Sequence, residues 1–263
     1  MKNKPINFGC VSGDCFNGVG VYIEINGARY EGQFINGMPQ GKGTLTLPNG
    51  SIYKGQWKNG KRHGRGIYIF SNGNRYEGDF IDGMIQGQGT LYCHDGGKYE
   101  GRWKNGQFHG HGVYIFADTS RYEGNFKAGN KNGFGIEISP DGTKYEGEWK
   151  DGLFHGHGIE TRSDGTVYNG QWRQNKAHGH GKLILPDGSS YEGEYKDGEF
   201  HGHGIIILKG ISRYEGQFKA GKKHGYGVEV SDDGTKYEGQ WENDQLVNGQ
   251  SNYVSRNIKA DFQ

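Results

Sequence analysis

The sequence is poor in Leu, Ile, Val and Ala, has three cysteines, carries almost no net charge and contains no long apolar run. Each shortage excludes something. Without 18 consecutive apolar residues no helix of the chain can span a bilayer. With 31 Lys and Arg against 30 Asp and Glu the net charge is +1, so no global field draws the chain to nucleic acid or to an anionic membrane. Cys10, Cys15 and Cys93 are too few, and odd in number, for a disulfide framework. Cys10 and Cys15 could pair across a hairpin in an oxidising compartment, but two free thiols in a reducing cytosol are the expectation. The N-terminal stretch MKNKPINFGCVSGDC lacks the apolar core of a secretory leader and reads as mature protein. A cytoplasmic location is expected, peripheral at a membrane as a variant, with a secreted or periplasmic one left open.

What is abundant points elsewhere. Glycine contributes 51 of 263 residues, nearly three times its usual share of about 7%. Glycine-rich disordered chains lack aromatic and β-branched residues, yet this one has 17 Tyr, 13 Phe and 5 Trp. So many rings need something to pack against.

The tyrosines that open Y-x-G stand at Tyr30, Tyr53, Tyr76, Tyr99, Tyr122, Tyr145, Tyr168, Tyr191, Tyr214 and Tyr237, every interval being 23 residues. Two residues beyond each glycine stands an aromatic: Phe34, Trp57, Phe80, Trp103, Phe126, Trp149, Trp172, Tyr195, Phe218 and Trp241. A G-x-G follows, from Gly41/Gly43 to Gly225/Gly227. A degenerate copy precedes the ten, because residues 7–20 align with 30–43, and at the other end Asp244 and Gln250 replace glycines. Atypical end copies are what a stacked array needs. The array is expected to occupy 7–254, its degenerate first copy being 7–29, between tails 1–6 and 255–263. A 46-residue period underlies the shorter one, since FHGHG occurs only at 108–112, 154–158 and 200–204.

Each unit carries two turn signals of the Asn-Gly or Asp-Gly kind, such as Asn59-Gly60 and Asn72-Gly73. These pairs supply positive φ at both central positions, as tight hairpins require. Between them lie short runs alternating with a two-residue period, Y-E-G-Q-W and G-R-G-I-Y-I-F, and nothing has helical periodicity. The unit therefore reads as a β-hairpin. The fold class is all-β: an elongated, twisted single-sheet antiparallel meander of about ten stacked hairpins. Glycine beside aromatics suggests rings lying over bare backbone. Whether Ile67/Ile69, Val113/Ile115, Ile136/Ile138 and Ile205/Ile207 share the aromatic face depends on a bulge at the first turn, which stays open here.

The unit Y-E-G-x-W/F-x-N-G-x-x-H-G-x-G closely resembles the MORN (membrane occupation and recognition nexus) repeat, over roughly residues 7–254. The resemblance implies a sheet of successive hairpins with a groove along one side. It also implies a non-catalytic module of scaffolding, protein–protein contact or membrane attachment. Asn175 departs from the pattern where a turn glycine belongs. The nine residues 255–263 leave no room for a catalytic domain in this sequence.

Several constellations invite chemistry. HGHG at 109–112, 155–158, 178–181 and 201–204 could offer two nitrogens to a metal, but zinc wants three or four ligands and no Cys or carboxylate recurs in step. The first histidine is replaced by Gln40, Gln86 or Asn132 elsewhere, so structural histidine is expected, with no metal and no cofactor. Asp-Gly pairs lack the closely spaced aspartates of a calcium loop. Arg75/Glu77 and Lys98/Glu100 form a mixed-charge ladder worth little per pair. No carboxylate pair or activated nucleophile stands out, so no enzymatic role is expected.

Two surfaces remain. The aromatic stripe of Tyr53, Trp57, Tyr76, Phe80, Tyr99, Trp103, Tyr122, Phe126, Tyr145, Trp149 and Trp172 is the candidate partner groove, because a sheet one layer thick cannot hide both faces. The stretch KNGKRHGRG, with Lys58, Lys61, Arg62, His63 and Arg65, is the candidate anionic-headgroup site, a solvated turn being its bland alternative. The leading expectation is a non-catalytic scaffold presenting the groove to a partner protein segment or to a second copy of itself. Peripheral attachment to anionic lipid is the alternative, and glycan binding by the stripe a weaker one; no nucleic-acid partner is expected.

Overall fold

The computed structural model describes residues 8–253. The tails expected at 1–6 and 255–263, and the outermost array positions Asn7 and Val254, lie outside the described residues. The chain is all-β, an antiparallel meander of hairpins, with no helix among the described residues. It divides into two compact units, 1–131 and 132–263. In the first, from the strand Gly9–Gly13 to the strand Arg121–Lys127, every strand pairs with the next along the chain. The second does the same through to the strand Gln245–Tyr253.

The two turns of each repeat are not alike. In the first, both central residues are left-handed: Asn59 has φ 51° and Gly60 φ 75°, Asp151 φ 51° and Gly152 φ 84°. That is the two-residue hairpin turn the dipeptides announce. In the second only one residue is left-handed, a glycine as at Gly50 with φ 86°, or Thr119 with φ 73° in its place. There the Gly50 N–H donates to the Leu47 carbonyl, the Leu47 N–H to the Ser51 carbonyl, and the Asn49 side chain accepts from the Ser51 N–H. Asn and Asp thus act at the second turn through their side-chain oxygens, not through positive φ.

A bulge sits in the second strand of the hairpin. Gly55 pairs with Gly66 while Gln56 pairs with His63, so Gly64 and Arg65 are extra. Gly64 turns the chain at φ 60°. The N–H set loose at Arg65 is taken by the Gln56 side-chain oxygen at 3.3 Å. The same bond recurs from Lys42 to Gln33, Gln88 to Asp79, His157 to Glu148, His180 to Gln171 and His203 to Glu194, at 2.8–3.0 Å. Beyond the bulge Tyr53 faces Tyr68 and Lys54 faces Ile67. The β-branched residues Ile67/Ile69, Val113/Ile115, Ile136/Ile138 and Ile205/Ile207 therefore lie on the charged face, opposite the rings.

The core is the aromatic face. Tyr53 rests over the two glycines of its own hairpin: a Cβ on Gly66 would come 2.5 Å from its ring, and one on Gly55 2.5 Å from its hydroxyl. That hydroxyl donates to the Gln56 carbonyl at 2.8 Å. Burial pushes the Tyr53 phenol up to about 12. Tyr30, Tyr53, Tyr76, Tyr99, Tyr145, Tyr168, Tyr191 and Tyr214 each meet their own hairpin's aromatic and the next one's edge to face, as Tyr53 meets Trp57 at 5.3 Å and Phe80 at 4.9 Å. The Trp57 indole N–H reaches back to the Gly43 carbonyl at 3.2 Å, and Trp103, Trp149, Trp172 and Trp241 make the same bond one hairpin back.

The cysteine expectation is overturned. Cys10 and Cys15 form a disulfide, their Cα atoms 5.9 Å apart, and Cys93 is the free thiol. The strand Gly9–Gly13 doubles back on Val19–Ile23, and the turn between them carries Cys15 to within bridging reach of Cys10.

Candidate functional site

The rings expected to form a partner groove are themselves the packing. Tyr53, Trp57, Tyr76, Phe80, Tyr99, Trp103, Tyr122, Phe126, Tyr145, Trp149 and Trp172 each keep 7% or less of their surface. They make a floor rather than a contact surface. What a partner would meet on this face are the second-strand side chains. Opposite the tyrosines stand Leu45, Tyr68, Leu91 and Tyr114 in the first unit, and Glu160, Leu183, Ile206 and Glu229 in the second. Opposite the second aromatic of the hairpin (Phe, Trp or, at Tyr195, Tyr) stand Pro39, Arg62, Ile85 and Phe108, then Phe154, Ala177, Phe200 and Lys223.

In several repeats the side chain at this last position covers the tyrosine ring. Phe108 stacks on Tyr99 with centroids 3.8 Å apart, Phe154 on Tyr145 at 3.6 Å, and Phe200 on Tyr191 at 3.7 Å. These are the phenylalanines of FHGHG. In others a cation takes the place, Arg62 lying 5.9 Å from the Tyr53 centroid and Lys223 4.9 Å from that of Tyr214, while Pro39, Ile85 and Ala177 supply neither. The sequence carried a signal for these residues, since they stand at fixed repeat positions. Without the bulge, however, the face they occupy could not be read.

In the first unit the face opens into a groove of about 620 Å³. Phe80 and Trp103 form its floor; Tyr68, Phe70, Leu91, Ile85, Met84 and Phe108 make apolar walls, with Asn74, Asn105 and Gln107 at polar points. Of the expected groove residues, this cavity brings together only Phe80 and Trp103.

The basic stretch is dispersed. Lys58 and Lys61 face each other across the first turn and are exposed. Arg62 turns onto the aromatic face opposite Trp57. His63 is half-buried opposite Gln56, its Nδ1 without a hydrogen-bond partner among the described residues. Arg65 is exposed on the charged face, 3.6 Å from Asp79.

The first histidine of HGHG occupies a capping position. At this point in other repeats Gln40 accepts the Asn59 N–H at 2.8 Å and Gln86 the Asn105 N–H at 2.9 Å. His178 Nδ1 stands 3.5 Å from the Asp197 N–H in the same arrangement. The second histidines, His111, His157, His180 and His203, are exposed at the bulge. No group of three His, Cys, Asp or Glu placed to hold a metal ion occurs among the described residues. The charged face carries the expected ladder, with Lys98–Glu100 at 2.8 Å and Lys144–Glu146 at 2.7 Å.

No curated protein matches the chain. Among solved structures, the chain is similar to the TCP10 domain of Danio rerio CPAP in complex with a peptide of STIL, at 10% identity and a TM-score of 0.44, covering 89% of this chain and 94% of that one. It is also similar to the SAS-4 (dCPAP) TCP domain of Drosophila melanogaster in complex with a proline-rich motif of Ana2, at 13% identity and a TM-score of 0.34, covering 64% and 84%. Both likenesses are too slight to bear on function. The MORN repeat family, in contrast, matches ten consecutive segments: 30–52, 53–75, 76–98, 99–121, 122–144, 145–167, 168–190, 191–208, 214–236 and 237–247. Those boundaries fall on the tyrosines that set the period and span most of the sequence, and the chain is a MORN repeat protein.

Proposed function

We propose that the chain is a non-catalytic scaffold and that the aromatic face of its first unit receives a segment of a partner protein. One observation carries this reading. The tyrosine and tryptophan floor is already covered by the chain's own packing, yet Tyr68, Leu91, Ile85 and Phe108 still leave an apolar groove beside it. A concave apolar patch with a few polar groups is the usual form of a recognition site. Membrane attachment has less behind it, because Arg62 and Arg65 turn to opposite faces and no basic cluster results.

The test is selection of binders from a phage-displayed random peptide library on the purified protein. Leu91→Arg, which puts a charge in the groove, is expected to abolish binding of the selected peptides. Ile115→Arg on the charged face should leave it intact, with thermal melts checking that both variants fold. A selection that yields no binder, or binders indifferent to Leu91→Arg, would overturn the reading.

A further inference from the structure

The groove of the first unit holds one charged side chain, Arg62. Its Nη2 donates to the Gly83 carbonyl at 2.7 Å. Its guanidinium carbon lies 5.1 Å from the Tyr68 centroid and 5.8 Å from that of Phe80. It has no ion-pair partner among the described residues.

The second unit contains the same arrangement completed. Lys223 stands at the repeat position of Arg62, 4.9 Å from the centroids of Tyr214 and Trp241. Its Nζ is 2.6 Å from Glu229, both side chains being only 16% exposed. Glu229 pairs with Tyr214 as Tyr68 pairs with Tyr53. So where one unit supplies a carboxylate to its ring-bound cation, the other has a tyrosine and an open groove.

We infer that the missing carboxylate comes from the partner: the groove takes a peptide segment that presents an Asp or Glu to Arg62 and an apolar side chain to Ile85 and Phe108. Guanidinium is held by the rings and by Gly83 with N–H donors to spare, and a carboxylate is its natural two-pronged acceptor. Apolar walls strengthen the pair by excluding water. A nucleic acid or a lipid surface would call for several cations together, whereas the groove has one. This inference rests on the scaffold reading above.

The test uses labelled peptides from the library selection, each with a twin in which the acid is changed to its amide. The protein variants are Tyr68→Glu, which rebuilds the Lys223–Glu229 arrangement at Arg62, and Arg62→Gln. Selected peptides should be enriched in an acidic residue, and the amide twin should bind about tenfold more weakly or worse. Tyr68→Glu and Arg62→Gln should weaken the acidic peptide to a similar degree and reduce its advantage over the twin to about onefold. Thermal melts accompany each variant, and Arg62→Gln serves if Tyr68→Glu fails to fold. Binders that lack an acid, or that ignore both variants, overturn the inference while the scaffold stands. A selection with no binder overturns both. Phosphatidylserine vesicles that bind through Arg62 when no peptide does would overturn it in favour of lipid.

Discussion

A single methyl group tests the packing between Tyr99 and the main chain beneath it. Gly112 has ordinary backbone angles, but a Cβ there would sit 2.5 Å from the Tyr99 hydroxyl and 2.7 Å from its ring. Gly106, in the turn of the same hairpin, is the converse: φ is 76° and nothing lies within 4 Å. Gly112→Ala is expected to cost about 3 kcal/mol, because a ring pinned by its own hydrogen bond to the Arg102 carbonyl at 2.9 Å has nowhere to retreat. Gly106→Ala should cost only the left-handed penalty of about 1 kcal/mol. Urea unfolding of the two variants measures the difference. In the double variant Tyr99→Leu, Gly112→Ala the costs should sum to less than their parts, since removal of the ring frees the space. Equal costs for the two glycines would mean that the ring does not rest on the backbone.

At the scale of the hairpin, the residue between the Y-x-G glycine and the aromatic decides whether the bulge is complete. Gln33, Gln56, Asp79, Glu148, Gln171 and Glu194 all accept the freed N–H. Arg102 cannot, because a guanidinium has only donors. Arg102→Gln should therefore stabilise the hairpin that holds His111 by about 1 kcal/mol, and Gln171→Leu should destabilise its own by about 1–2 kcal/mol; thermal melts check both signs. This residue also shows where the sequence stops being legible. Tyrosine spacing and the Asn59-Gly60 turn announce the hairpin, and the glycine-aromatic pairing announces rings on bare backbone. The alternating polar residue at Gln56 reads only as the outer side of a strand. Its role appears once Gly64 and Arg65 are seen to be extra residues, and a two-residue period is blind to such an insertion. For the same reason Tyr68 and Leu91 could not be assigned to the groove, while Phe80 and Trp103, expected as its contact surface, are buried as its floor. The Cys10–Cys15 bridge was illegible in another way, since residue spacing alone does not choose between thiols and a disulfide.

Over the molecule as a whole, the repeated burial of one phenol turns a local property into a pH limit. An unfolded tyrosine loses its proton near pH 10. Burial holds the phenols of Tyr30, Tyr53, Tyr99, Tyr168 and Tyr214 up to about 12. It pushes those of Tyr76, Tyr145, Tyr191 and Tyr195 higher still. Below about pH 10 both the folded and unfolded chains keep these protons, so the stability is fully present. As pH rises further, the unfolded chain releases protons that the folded chain retains, and each buried tyrosine takes away stability until its folded-state value is passed. Because many equivalent rings act in the same direction, the loss should be steep. Base-induced unfolding is expected between about pH 10 and 12, with the buried rings' share of the tyrosinate absorbance and loss of the β-sheet circular dichroism appearing together. Tyr99→Phe, compared at matched neutral-pH stability, should move the midpoint to higher pH, since one ionisation no longer favours the unfolded chain. Tyrosinate absorbance that instead reaches its full amplitude, buried rings included, while the sheet persists would show those phenols open to solvent, and the packing on which the groove rests would then be wrong.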